Sequence, residues 1–129
     1  MKTIIVFDEN PNPVDRLCYL VRNKGLPFCV IRESAWDDIP HEDALNMCVL
    51  ILMGTGSFHK NHPVISLFDI LRREKNYTGQ AILYTPPCSK SKFTKVFKGK
   101  NIPPNIILAE VMEEYVLSIL HDSLYIDTT

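Results

Sequence analysis

A chain of 129 residues is long enough for one domain with its own core and leaves little room for two. Its hydrophobic share of 46% is ordinary for a globular protein, and 14 Lys and Arg stand against 15 Asp and Glu, a balance that argues against nucleic-acid binding driven by overall charge. No apolar run approaches the roughly 20 residues that span a bilayer; the longest, residues 48–53, has the length of a strand.

Ile4-Ile5-Val6-Phe7 is short, apolar and rich in β-branched residues, the pattern of a strand covered on both faces. The N-terminal segment therefore reads as a first strand, not as a signal peptide. Asp8-Glu9-Asn10-Pro11-Asn12-Pro13 breaks the run, and a helix follows. Asn12 is its expected cap, Pro13 suits its first turn, Asp15 favours its positive end and Gly25 stops it. Leu17, Leu20 and Val21 fall on one face at helical spacing.

Phe28-Cys29-Val30-Ile31 is the second strand, and the polar residues 33–43 hold a loop and a short helix. Val49 to Met53 make the third and most apolar strand, ended by Gly54-Thr55-Gly56-Ser57. Residues 63–75 are expected to be helical, Ala81-Ile82-Leu83-Tyr84 is the fourth strand and Ile106-Ile107-Leu108 the fifth. A last helix over residues 110–121 is expected to bury Val111, Tyr115 or Val116, and Ile119 or Leu120. Strand and helix alternate five times, which implies an α/β sandwich with a five-stranded parallel sheet and right-handed crossovers. Active surfaces of such sheets lie beyond the carboxyl ends of the strands. The domain is expected to span residues 1–122, with 123–129 as a tail.

None of Cys18, Cys29, Cys48 and Cys88 forms a CxxC pair, and the first three sit in apolar segments, so they read as small buried hydrophobes. A reducing, cytoplasmic setting suits four such thiols. His59 and His62 have no further ligand nearby and read as loop polarity, not zinc ligands. Gly54-Thr55-Gly56-Ser57 lacks the spacing of a phosphate-binding loop and reads as a turn.

Ile5-Val6-Phe7-Asp8-Glu9-Asn10-Pro11, with the helix running on to Gly25, resembles the opening of the receiver domain of bacterial response regulators. The resemblance covers the chain in element order and length and implies the flavodoxin-like strand order 2-1-3-4-5. In that family an acidic pair holds Mg²⁺ beside a phosphoacceptor aspartate at the end of the third strand. The resemblance puts Asp8 and Glu9 at the acidic pair, Met53 at the acceptor, Thr85 at the phosphoryl-contacting hydroxyl and Ala109 at the lysine. A thioether accepts no phosphate and is a poor Mg²⁺ ligand. No acid occurs between residues 44 and 67, so a shifted register does not rescue the site.

The resemblance thus implies a pseudo-receiver without phosphorylation chemistry, with no catalytic residues, no cofactor and no metal. Such a module belongs to a two-component or transcriptional regulator and works by protein contact. The family's usual contact surface is the edge formed by the fourth helix, fifth strand and fifth helix. Here that edge brings Lys90, Phe93, Lys95, Phe97 and Lys98 near Glu113 and Glu114, a self-complementary patch for a homodimer or another signalling protein. Neither a membrane nor, within this chain, a nucleic acid is an expected partner. The alternative is a small Cys-dependent enzyme similar to class I glutamine amidotransferases, built on Cys88. That thiol lacks the flanking glycines of a nucleophile elbow, and only His121 follows it.

Overall fold

The computed structural model describes residues 2–8, 10–33, 45–54, 68–98 and 105–127. Five strands, β1 (Lys2–Phe7), β2 (Phe28–Glu33), β3 (Cys48–Gly54), β4 (Gln80–Thr85) and β5 (Asn105–Leu108), form one parallel sheet in the order β2-β1-β3-β4-β5. The alternation read from the sequence therefore yields the flavodoxin-like sheet. The central strands β1, β3 and β4 carry the longest apolar runs because both of their faces are covered.

Successive side chains on a strand point to opposite faces. Two apolar layers result. Ile5, Phe7, Ile51, Met53 and Leu83 pack with Phe68, Leu71 and Phe97 on one face. Ile4, Val6, Leu50, Leu52, Ile82 and Tyr84 pack on the other face against α1 (Asn12–Asn23) and α3 (Met112–Asp127). The helix α2 (Pro87–Phe97) belongs to the first layer. Burying each Leu, Ile or Phe of these layers contributes roughly 1.5–3 kcal/mol, so the packing of the two layers is what holds the sheet flanked by helices.

Several local expectations are corrected. Asn12 does not cap α1: it lies within the helix, and its N–H donates to Asn10 Oδ1 at 3.1 Å. Asn10 N–H in turn donates to Asp8 Oδ1 at 2.9 Å, so the turn is built from two successive side-chain acceptors. Gly25 stops the helix as expected, with φ +66°, a left-handed conformation that costs glycine nothing. The third helical segment is described from Phe68, and over Ile70–Glu74 it is a π-helical turn. Lys75 N–H reaches back five residues to the Ile70 carbonyl at 3.0 Å. Arg72 secures this end: its Nη1 donates to the Tyr77 carbonyl at 2.9 Å and its guanidinium lies 5.3 Å from the Tyr77 ring centre.

The last helix starts later than expected. Ala109–Val111 is a 3-10 turn that leaves Val111 42% exposed, and the buried stripe is Met112, Val116 and Leu120, spaced four apart. The helix continues to Asp127, past its expected end at residue 121. Cys29 is exposed although its segment is apolar, because β2 is an edge strand; Cys88 is exposed, Cys18 half-buried and Cys48 buried. The loop and short helix expected within residues 33–43 fall, from residue 34 on, outside the described residues, as do residues 55–67 with His59 and His62.

Candidate functional site

At the carboxyl end of β1 the chain leaves the sheet through Asp8, whose N–H still donates to the Glu33 carbonyl at 3.2 Å. That bond holds Asp8 in strand-like register, and the two-residue period turns its side chain toward the α1–α3 face. Tyr84, the penultimate residue of β4, reaches the same place from its own strand. The Tyr84 hydroxyl donates to Asp8 Oδ2 at 2.5 Å. Asp8 is 5% exposed, and so is Tyr84.

The carboxylate is therefore held on both oxygens: Oδ1 accepts from Asn10 N–H and Oδ2 from the tyrosine. The Asp8 carbonyl also accepts from Arg32 Nη1 at 3.4 Å. Burial pushes the Tyr84 phenol far above the usual tyrosine value, and the hydrogen bond to Asp8 and its negative charge push it further. The proton stays on the phenol, which makes it a committed donor.

Gly54 makes the meeting possible. Phe7 pairs with Met53 and Gly54 with Tyr84, so Gly54 is level with Asp8 between the two strands. A β-carbon at position 54 would lie 2.7 Å from the Tyr84 hydroxyl, 2.8 Å from its ring carbon Cε2, and closer still to Asp8 Oδ2. Glycine is required here by close approach, not by an unusual backbone angle.

Of the other residues assigned to the degenerate pocket, Met53, Thr85 and Ala109 do not join this pair. Met53 is fully buried but points to the opposite face, among Phe7, Leu83 and Phe68. The expectation that Met53 occupies a common pocket with Asp8 is corrected: the strand runs one residue further, and the side-chain alternation separates the two. Thr85 follows Tyr84 and so faces the Met53 side. It is fully buried, and its hydroxyl has no partner among the described residues. Ala109 is exposed in the 3-10 turn after β5. Glu9 lies outside the described residues.

A Mg²⁺ ion requires about six oxygen ligands in near-octahedral geometry. Among the described residues no three His, Cys, Asp or Glu side chains come together. Both oxygens of Asp8 already accept hydrogen bonds. The described residues do not fit a Mg²⁺ site. Sequence reasoning missed Tyr84 and Gly54. A tyrosine in an apolar strand reads as core and a glycine at a strand end as a breaker, and only the register between strands shows that they meet.

The proposed contact edge is also revised. Lys90, Lys92, Lys95 and Lys98 are exposed, and α2 carries no acid. Phe97 is no surface anchor: it is 3% exposed and meets Phe68 edge to face at 5.6 Å between ring centres. Phe93 is half-buried against the same layer. Glu113 is turned to α1, where its Oε2 pairs with Arg16 Nε at 2.8 Å. Glu114 is exposed, and Lys100 lies outside the described residues.

Around Cys88, the residue of the enzyme alternative, the described neighbours are few. The exposed thiol lies 3.8 Å from the Ser89 hydroxyl, and His121 projects into solvent from α3. A cavity of about 860 Å³ opens at the other end of the sheet, between the starts of β3, β4 and β5, lined by Arg72, Tyr77, Asn105 and Tyr115 among others. No helix among the described residues is long and apolar enough to cross a membrane.

No family model matches the chain, and no curated protein matches it in sequence. Solved structures do match. A response regulator receiver domain protein from Clostridium thermocellum aligns over 98% of this chain and 99% of its own, at TM-score 0.67 and 10% identity. The receiver domain of the Francisella response regulator 1452 aligns over 100% of both chains, at TM-score 0.63 and 15% identity. A sensor protein from Polaromonas sp. JS666 covers 94% of each chain, at TM-score 0.66 and 12% identity. At these identities the likeness is one of fold, and the fold is that of response regulator receiver domains.

Proposed function

We propose that this chain is a pseudo-receiver, a signalling module that acts through protein contact without being phosphorylated. The observation that carries this reading is the closed pair at the strand ends. Asp8, which matches the receiver's acidic position, is buried and bonded on both oxygens, and the neighbouring strand offers it only Gly54. Phosphoryl transfer to a carboxylate needs an exposed acceptor and a cation to offset charge on the phosphoryl oxygens. The end of β3, where a receiver carries its acceptor, has Met53 turned to the other face and Gly54 beside Asp8, and Asp8 at the cation-holding position is closed off by its hydrogen bonds. Incubation with acetyl phosphate and Mg²⁺, read by intact mass, is expected to add no phosphoryl group; formation of an acyl phosphate on any carboxylate of the chain would overturn the proposal.

The contact surface is the edge of α2, β5 and α3. It is supported by the acid-free lysine face of α2, by β5 as an edge strand with Ile106, Ile107 and Leu108 half-buried, and by the exposed Val96 and Val111. Val96 and Val111 replace Phe97 as the apolar anchors, and Lys90, Lys95, Lys98 and Glu114 form the charged rim. Rim charges steer association while apolar residues supply affinity. Sedimentation over a concentration series tests it: salt and the pair Lys95→Glu, Lys98→Glu are expected to weaken self-association or partner capture. An assembly unmoved by both would remove this edge.

A further inference from the structure

Resting on the pseudo-receiver reading of the site, we propose that Tyr84 is an internal substitute for a divalent cation. Its hydroxyl neutralises the need of the Asp8 carboxylate for a partner, ties β4 to β1 across Gly54, and makes the domain insensitive to Mg²⁺. The two roles a cation fills at a carboxylate are charge compensation and cross-linking of strand ends. The Tyr84 hydroxyl performs the second directly, since it bridges from the end of β4 to the residue after β1. It performs the first by a charge-assisted hydrogen bond from a phenol whose burial keeps it protonated.

The space for this is made by Gly54, since any side chain there would separate the two groups. A carboxylate has about four acceptor directions. Here Asn10 N–H and the Tyr84 hydroxyl take one on each oxygen, and burial to 5% exposure limits access to the rest. A cation has to displace the phenol to reach Oδ2, and the displaced hydroxyl is then left buried without a partner. Cation and tyrosine are competitors for one oxygen.

The test titrates MgCl₂ against thermal melts, with NaCl matched for ionic strength, on the wild type, Tyr84→Phe and the double variant Tyr84→Phe, Asp8→Asn. The wild type is expected to show no Mg²⁺-specific shift. Tyr84→Phe is expected to melt roughly 5–10 °C lower and to regain part of that loss specifically with Mg²⁺; the double variant is expected to lose the regain. A Mg²⁺-specific rise in the wild type, or none in Tyr84→Phe, would overturn the proposal. In the wild type alone, the Tyr84 hydroxyl proton is expected as a slowly exchanging downfield NMR signal that Mn²⁺ leaves sharp; broadening by Mn²⁺ counts against it. The acetyl phosphate experiment separates the two readings. Phosphoryl addition to any carboxylate refutes the pseudo-receiver, whereas Mg²⁺ binding by an unphosphorylated wild type refutes only the tyrosine.

Discussion

Gly54→Ala puts the geometry of the site to a direct test. The added methyl would meet the Tyr84 hydroxyl at 2.7 Å and its Cε2 at 2.8 Å, and it would also crowd Asp8 Oδ2. All three residues are buried, and Tyr84 is held by Ile82 and the α1–α3 layer, so neither partner can swing into solvent. Overpacking of this kind costs about 1–3 kcal/mol. Separating Tyr84 from Asp8 removes a hydrogen bond to a charged acceptor, worth about 1.5–3 kcal/mol. Alanine restricts the unfolded chain and returns about 0.4–1 kcal/mol. The net expectation is a loss of roughly 2–5 kcal/mol, read in urea as a lower midpoint with an unchanged slope. In a Tyr84→Phe background the hydrogen bond is already gone, so Gly54→Ala should cost less there by about 1.5–3 kcal/mol. A Gly54→Ala protein within about 0.5 kcal/mol of wild type, the range of an ordinary surface substitution, would refute the close approach, and strict additivity would refute the shared bond.

Met53→Asp places a carboxylate among Phe7, Leu83 and Phe68, and is expected to cost at least ~4 kcal/mol with no relief from Mg²⁺, because Asp8 lies on the other face; melts with and without the ion check it. Phe97→Ala is expected to cost about 3–5 kcal/mol by urea titration, whereas Lys95→Glu should stay within about 0.5 kcal/mol, which separates the buried side of α2 from its exposed one. Tyr77 and Tyr84 both have their phenol values raised chiefly by burial. A raised folded value means the unfolded chain loses its protons first, so stability is intact below the ordinary tyrosine value of about 10 and declines as pH rises beyond it. Alkaline titration followed at the tyrosinate band should show these two of the five tyrosines ionising only together with unfolding.

The sheet was legible in the sequence because its determinants are local. Ile4 to Phe7, Val49 to Met53 and Ala81 to Tyr84 are apolar at every position, which only strands covered on both faces require. Gly25 marks the end of α1 through its own φ, and alternation with helices then leaves a parallel order as the natural outcome. The acidic residue at the end of β1 was legible in the same way, as a polar break after an apolar run. What surrounds Asp8 was not, because that depends on register between strands far apart in the chain. Asp8 meets Tyr84 across 76 positions, and only the pairing of Phe7 with Met53 and of Gly54 with Tyr84 decides that glycine, not methionine, lies beside the carboxylate. A shift of one residue sends each side chain to the other face, so Met53 and Asp8 part although both stand at strand ends. The same holds for α2, whose composition contains lysines and phenylalanines without saying which Phe is an anchor. The packing of Phe97 on Phe68 settles that, because a helix buries whichever face the sheet beneath it can match.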